Sequence, residues 1–372
     1  MSRPLIANPL PVPPEFSALV AVDRAMSELR RGLPVVLQAE DGARVLILAA
    51  EAACAENLER LAQLSAGASL RVVITDRRAA VLGLSPDRAA GSVVLVTAEP
   101  LTPDHVVHLA DPLDQAPAPA SLSVSAGPVP AWAHGAVVLT KLARLLPAAV
   151  VVALQETPAG LLGVDVADVL AYQQTSARSL RRITDARVPL ADSEETRIVA
   201  FRPSDGGIEH LAIVIGEPDR SGPVLARLHS ECFTGDILGS LRCDCGDQLR
   251  GAIGEIAKAG GGVLLYLAQE GRGIGLVNKL RAYQLQDRGL DTLDANLQLG
   301  FDDDERVYLP AAEMFRLLGI TQVRLMTNNP SKVESLARHG VSVTERVPHI
   351  FPSNQHNERY LQTKATRSGH LF

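Results

Sequence analysis

Three of the four cysteines, Cys232, Cys243 and Cys245, stand as C-x10-C-x-C on one polar stretch, Ser230 to Gly246. No other feature constrains the fold as much, because a metal shared by the three would close everything between Cys232 and Cys245 into a single loop. Thiolates are the preferred soft ligands of zinc, and three of them leave one tetrahedral position for another group. Water in that position has its pKa lowered to about 7, which makes hydroxide available at neutral pH. Two other readings stand beside this one: three small buried hydrophobes, or a structural site completed by a distant histidine. The fourth cysteine, Cys54, lies in the apolar helical run Ala49 to Leu64 and is expected in the core. So few cysteines exclude a secreted disulfide scaffold and fit a reducing compartment.

A chain of 372 residues predicts two domains at roughly 150 residues each. Hydrophobic residues at 47% and charged residues at 21% match an ordinary soluble protein, which rules out wholesale disorder and a coiled coil. A net charge of -6 with 3% aromatics argues against a partner such as nucleic acid, which needs basic stripes and stacking rings. A small phosphorylated ligand remains compatible. The longest apolar run, Leu145 to Leu154, is broken by Pro147 and is about half the roughly 20 residues that cross a bilayer. Met1 to Phe16 carries five prolines and no basic start with an apolar run, so it does not read as a signal peptide. A cytoplasmic protein with no membrane partner is expected.

The texture changes along the chain. The first part, to about Tyr172, is rich in Ala, Val and Leu. It reads as β-type runs at Leu33 to Leu37, Leu70 to Thr75 and Ser92 to Thr97, with a helical pattern at Ala49 to Leu64. That alternation predicts an α/β layer. Asp111 to Pro130 is dense in Pro, Ala and Ser and reads as a loop. Gln173 to Asp192 is polar and charged, so the domain boundary is placed there, at 178/179. The second part carries β-type runs at His210 to Ile215, Val224 to Leu228, Val263 to Leu267 and Val323 to Met326. A helix is predicted with Leu249, Ile253 and Ile256 on one face, another with Leu276, Leu280 and Tyr283 on one face, and a third over Ser331 to His339. The expected fold class is α/β (α+β), two mixed α/β domains.

Three further clusters carry chemistry. Gln269 to Gly275 has alternate glycines at a strand-to-helix junction, where backbone N-H groups approach an anion and Arg272 grips phosphate oxygens. It fits neither the dinucleotide fingerprint nor the P-loop, and a plain tight turn accounts for it equally well. Thr327 to Lys332 offers a hydroxyl and an ammonium at a second such junction. Asp302 to Arg306 reads either as a solvated charged loop or as a general base, Asp304, beside a phosphate clamp, Arg306. Tyr283 reads as core unless its hydroxyl points into a site.

In order, Arg227 to Asp236, Leu241 to Gly246, Gln269 to Gly275, Ala295-Asn296 with Leu299 to Phe301, Thr327 to Pro330, and the tail Tyr360-Leu361 with Gly369 to Leu371 resemble GTP cyclohydrolase II of riboflavin biosynthesis over roughly residues 180 to 372. The resemblance implies a GTP cyclohydrolase II-like fold with a zinc loop, one Zn2+ per chain held by Cys232, Cys243 and Cys245. It implies water attack on the imidazole carbon of guanine, with release of formate and pyrophosphate. It assigns GTP binding to Arg227, Leu228, His229, Ser230, Glu231, Gln248, Glu270, Gly271, Arg272, Thr292, Thr327 and Lys332. Asp304 is implied as proton acceptor, Arg306 as the group that displaces pyrophosphate, and Tyr283 as the residue that accompanies full ring opening. Mg2+ on the triphosphate and a homodimer are implied as well. Because a guanidinium with a pKa above about 12 holds its proton, Arg306 is expected to stabilise charge. Ala268 departs from the arginine often found there, which predicts weaker nucleotide affinity.

In the first half, Arg31 to Val36, Ala49 to Glu51, Leu82 to Leu84 and Leu142 to Leu145 are similar to dihydroxybutanone phosphate synthase. That enzyme's acidic magnesium loop is reduced here to Gln38 to Arg44, with Glu40 and Asp41 as its only carboxylates, too few for a hard octahedral cation. The neighbours of His134 are Gly135 and Ala136 in place of the expected Thr and Glu. Residues 1–178 are therefore read as a degenerate, inactive domain ahead of a cyclohydrolase domain, 179–372. The alternatives are a bifunctional enzyme that still acts on ribulose 5-phosphate and a GTP-binding paralogue without activity.

Overall fold

The computed structural model describes residues 14–84, 92–114, 116, 122–125 and 128–349. The proline-rich start, much of the Pro-Ala stretch and the tail motifs Tyr360-Leu361 and Gly369 to Leu371 lie outside the described residues.

Short, β-branched apolar runs form two seven-stranded sheets. The first contains β1 (Val35–Gln38), β2 (Arg44–Ala49), β3 (Arg71–Thr75), β4 (Val93–Thr97), β5 (Ser123–Val124), β6 (Ala148–Leu154) and β7 (Gly163–Asp165), in the order β5-β4-β3-β6-β2-β1-β7. Only the β1–β7 pairing is parallel. The run that is too short for a membrane span is β6, buried on both faces at the middle of this sheet. Burial on both faces explains why β2 and β6 read as continuous apolar runs and not as alternating ones. Helices Pro14–Arg30, Ala131–Leu142 and Val166–Arg178 cover one face. Helices Ala55–Leu64 and Pro103–Ala110 cover the other.

The second sheet contains β8 (Arg181–Arg187), β9 (Thr196–Arg202), β10 (His210–Ile215), β11 (Val224–Ser230), β12 (Gly262–Leu267), β13 (Gln322–Met326) and β14 (Ser342–Val347), ordered β14-β13-β11-β12-β10-β9-β8. β12, β11, β13 and β14 run parallel, while β8, β9 and β10 make an antiparallel wing that joins them through β10–β12. Helix Cys245–Lys258 packs on one face, and helices Leu309–Leu317 and Pro330–Arg338 on the other.

Gln173 to Asp192 forms the end of helix Val166–Arg178 followed by β8, an edge strand with charged residues along an exposed ribbon, a composition that blocks edge-to-edge pairing. Three expectations are corrected by the packing. Cys54 is exposed, not core, because it stands at the N-cap of helix Ala55–Leu64, before the apolar face begins. The helical pattern from Ala49 starts later, since Ala49 ends β2. Helix Leu276–Asp287 buries Asn278, Lys279, Ala282 and Leu285, whereas Leu280 is 46% exposed. Its apolar letters lie on the wrong face because the buried face is partly polar.

The two halves share a core. Ile274, Ala282, Leu285, Ala295, Leu299 and Phe301 from the second half join the cluster under Val36, Leu46, Leu48 and Val150 of the first sheet. Helix Leu276–Asp287 is therefore clamped between the halves.

Candidate active site

In parallel α/β sheets, ligands bind outside the carboxyl ends of the strands, where the strand order reverses. Here the chain steps from β11 to β12 on one side and later returns to β13 on the other. The loops that follow these three strands open around a cavity of about 400 Å³.

The loop after β11 carries the sulfurs. Cys232, Cys243 and Cys245 place their Sγ atoms within 4.8 Å of one another, and Cys232 Sγ lies 3.7 Å from Cys243 Sγ. Tetrahedral Zn–S bonds of about 2.3 Å require S–S edges of about 3.8 Å, so the spacing fits a tetrahedral cation. Gly235 lines the back of this cradle: a Cβ there would fall 2.8 Å from Cys243 Sγ and 3.0 Å from Cys232 Sγ. Asp236 orders the loop. Its carboxylate accepts from Cys232 N at 2.9 Å and from the Tyr266 hydroxyl at 2.9 Å, and it pairs with His229 Nε2 at 3.0 Å.

Sulfurs this close cannot all ionise without a cation. Hydrogen bonds from Cys243 and Cys245, and then the Lys279 ammonium, pull Cys232 far below the usual thiol range. Cys243 is pushed up to about 11, first by its hydrogen bond to Cys232. Among the described residues, this triad is the only cluster of metal-competent side chains.

The loop after β12 folds back through two left-handed residues, Gly271 (φ 65°) and Arg272 (φ 63°). Arg272 is uncommon in that region and is held by Glu305 N, which donates to its carbonyl at 3.0 Å, and by its own Nη1 donating to Asp303 O at 3.1 Å. Gly273 must be glycine, since a Cβ would meet the Glu305 carbonyl at 2.9 Å. Glu270 is buried, accepts from Phe233 N at 2.6 Å, and pairs with Lys279 Nζ at 2.8 Å. Burial alone would lower the Lys279 pKa, but Glu270 and the Cys232 sulfur, 3.1 Å away, raise it.

The floor is basic. Arg227 is buried in the middle of β11, donates to Met326 O at 2.9 Å and to Gln248 Oε1, and leaves Nε without a partner. Burial lowers it to about 10. Lys332, from the turn after β13, donates to Leu228 O at 2.8 Å. Glu231 is raised, first by burial and then by Glu270. The Tyr283 hydroxyl stands 3.4 Å from Thr234 Oγ1. Arg306 forks onto Asp304 through Nε, at 2.8 Å, and Nη2, at 2.5 Å.

The cavity wall thus brings together every expected binding residue and every expected sulfur, together with Tyr283 and Arg306. Asp304 is not on that wall and reaches it only through Arg306. Lys279, Arg242 and Asn296 line it too. Lys279 was not singled out from the sequence, where a lysine on a helix reads as solvent-facing. Its signal is the i, i+4 spacing to Tyr283 on a helix that follows the glycine turn.

The GTP cyclohydrolase II family pattern matches residues 181–348. A GTP cyclohydrolase-2 of Azospirillum brasilense is 54% identical over 97% of this chain and 96% of its own length. The chain belongs to the GTP cyclohydrolase II family. A GTP cyclohydrolase-2 of Xylella fastidiosa (strain 9a5c) is 39% identical over 100% of this chain and 91% of its own. The cyclohydrolase-2 of Cronobacter sakazakii is 54% identical over 98% of its length but only 52% of this chain, so members with and without a counterpart of the other half exist. A two-domain 3,4-dihydroxy-2-butanone 4-phosphate synthase from A. baumannii covers 89% of this chain and 99% of its own, at 18% identity and a TM-score of 0.34, too loose a likeness to carry fold or activity across.

Proposed function

We propose that this chain hydrolyses GTP to 2,5-diamino-6-ribosylamino-pyrimidinone 5'-phosphate, formate and pyrophosphate, the first committed step of riboflavin biosynthesis. One observation carries the reading: the cysteine triad and the basic floor of Arg227 and Lys332 face one cavity, beside the Glu270 to Arg272 turn. A purine beside the sulfurs then has its phosphates among cations.

Cys232, Cys243 and Cys245 would hold zinc, which supplies a Lewis acid able to make water nucleophilic near neutral pH. The chain's own residues do the rest. Arg272 and Lys332 bind the triphosphate, where Mg2+ offsets the remaining charge, and Arg227 Nε offers an unpaired donor. Thr292, Thr327, Gln248 and the β11 end, Leu228 to Glu231, bound the nucleotide. Tyr283, next to the sulfur loop, passes a proton at the departing formyl group. For Asp304, burial would raise the pKa, and the Arg306 fork more than reverses it, so Asp304 is ionised, and it accepts a proton once the triphosphate draws the Arg306 fork away from it. Arg306 keeps its proton and stabilises charge on phosphorus.

The deciding experiment incubates purified protein with GTP, with and without a chelator. Formate and pyrophosphate appear together and both stop on chelation. Pyrophosphate without formate points to a truncated reaction, and bound but unchanged GTP to a non-enzymatic paralogue.

Residues 1–178 and 179–372 are read as two domains, the first inactive. In support, Gln38 to Arg44 is a tight hairpin between β1 and β2, closed by Ala39 N to Ala43 O at 2.9 Å. Ribulose 5-phosphate given to the full chain without GTP yields no formate under this reading. A homodimer is supported by exposed apolar side chains on the sulfur loop, Ile237, Leu238 and Leu241, and on the neighbouring helix, Val277 and Leu280; sedimentation of the full chain decides it. Among the described residues no helix is long and apolar enough to cross a membrane, and the cytoplasm remains the proposed location.

A further inference from the structure

Arg144 comes from the first half, where its N-H donates to Lys141 O at 2.9 Å, but its side chain and its carbonyl reach into the second. Its Nη2 donates to the Ala268 carbonyl at 3.1 Å. Its aliphatic stem lies against Gly275, where a Cβ would fall 3.2 Å from Arg144 Cβ and Cδ. Its own carbonyl accepts from Asn278 Nδ2 at 3.2 Å. These contacts grip both ends of the glycine turn, Ala268 before it and Gly275 with Asn278 after it. The backbone of Arg144 is left-handed, φ 60°, a conformation uncommon for a non-glycine residue that persists where surroundings over-determine it. Burial lowers the pKa of Arg144, and Glu231 and Glu270 offset that only in part.

We propose that Arg144 is a positioning residue, through which the first half sets the shape of the nucleotide-holding turn 269–275 of the second. At the start of the turn, Ala268 N is taken by His210 Nδ1 at 3.1 Å and Gln269 Nε2 by Ser230 Oγ at 3.0 Å, both within the second half. The Ala268 carbonyl is the group that the first half holds, through the Arg144 guanidinium. Other contacts between the halves bear on different segments, such as the Tyr172 hydroxyl, which donates to the Asp205 carboxylate at 2.6 Å, so the two kinds of contact are separable. As regards catalysis, this inference rests on the GTP reading above.

Hydrogen exchange and GTP kinetics of full-length variants test it. Arg144→Gly accepts the same backbone without strain but removes the side chain, and Arg144→Met keeps the stem and loses the donor. In both, exchange of the 269–275 amides rises about tenfold and KM for GTP rises about tenfold, with kcat within about threefold and zinc content unchanged. Arg144→Lys, which keeps a donor for the carbonyl, recovers most of both changes. Tyr172→Phe, which removes the contact to Asp205, leaves exchange in the turn at the wild-type rate. Unchanged exchange in Arg144→Met overturns the proposal, as does an equal rise in Tyr172→Phe, which would make any loosening of the interface sufficient. Should wild-type protein not turn over GTP, the functional reading fails while the exchange comparison still decides the positioning role.

Discussion

Lys279 Nζ and Glu270 Oε1 form an ion pair at 2.8 Å, with side chains only 11% and 4% exposed. The pair ties the helix that carries Tyr283 to the glycine turn, and Phe233 N on Glu270 ties both to the sulfur loop. Removing one partner of a buried pair leaves the other charge uncompensated. Lys279→Met is therefore expected to destabilise the chain by about 3 kcal/mol, read as a lowered urea midpoint at constant slope. A loss within experimental scatter would show that water reaches Glu270 in solution.

Cys243 is the sulfur that separates the metal from the protein scaffold. Its loop is also held by Asp236, which binds Cys232 N and Tyr266, so the fold does not depend on the thiol alone. Cys243→Ser is expected to lose zinc, by elemental analysis, and formate release together, with far-UV circular dichroism unchanged. Full activity in a metal-free Cys243→Ser protein would remove the metal from the reaction.

Much of this site is legible before folding. The sulfurs, the glycine turn and the Thr327 to Lys332 turn are local patterns, each following a short apolar run, and strands β10 and β12 fall where those runs predict. What cannot be read locally is which face of a helix is buried. Leu280, expected on the apolar face, is exposed, while Lys279, which no local pattern marks, is buried, because the pocket beside helix Leu276–Asp287 supplies Glu270 and a sulfur in place of hydrocarbon. Strand β8 is hidden in the charged run ending at Arg187 for a related reason: an edge strand needs no apolar face of its own. Arg144 was legible only as part of a degenerate landmark, since its partners are more than a hundred residues away.

His210 is expected to make the fold acid-sensitive. Its Nδ1 accepts from Ala268 N at 3.1 Å, and burial, then the Arg144 charge, lowers it to about 4. An unfolded histidine takes up its proton near 6.5, so between those values the unfolded chain binds the extra proton. Stability accordingly falls as the pH drops from 6.5 towards 4, by at most about 1.4 kcal/mol per pH unit from this group. Urea midpoints at pH 7 and pH 5 should differ less in His210→Gln than in wild type. The comparison isolates His210 from Asp23 and Asp168, whose raised values act in the opposite sense. Equal differences in the two proteins would mean that His210 takes up its proton at the same pH folded and unfolded.

Tyr283 offers the sharpest test of how far the reaction runs. Its hydroxyl lies 3.4 Å from Thr234 Oγ1 on the sulfur loop, and burial raises its pKa, so at neutral pH it is a phenol with a proton to give. Arg242 sits over its ring at 4.9 Å, which fixes the ring plane whether or not the hydroxyl is present. Tyr283→Phe should therefore keep the ring in place and lose only the proton carrier. If the phenol serves the departing formyl group, formate release falls by about 100-fold, while pyrophosphate release and zinc content change little. The product mixture then shifts towards a formylated intermediate, visible by mass spectrometry as a species heavier by one formyl unit. Equal loss of formate and pyrophosphate would instead place the phenol at a step common to both, and unchanged release of both would leave Tyr283 as part of the wall.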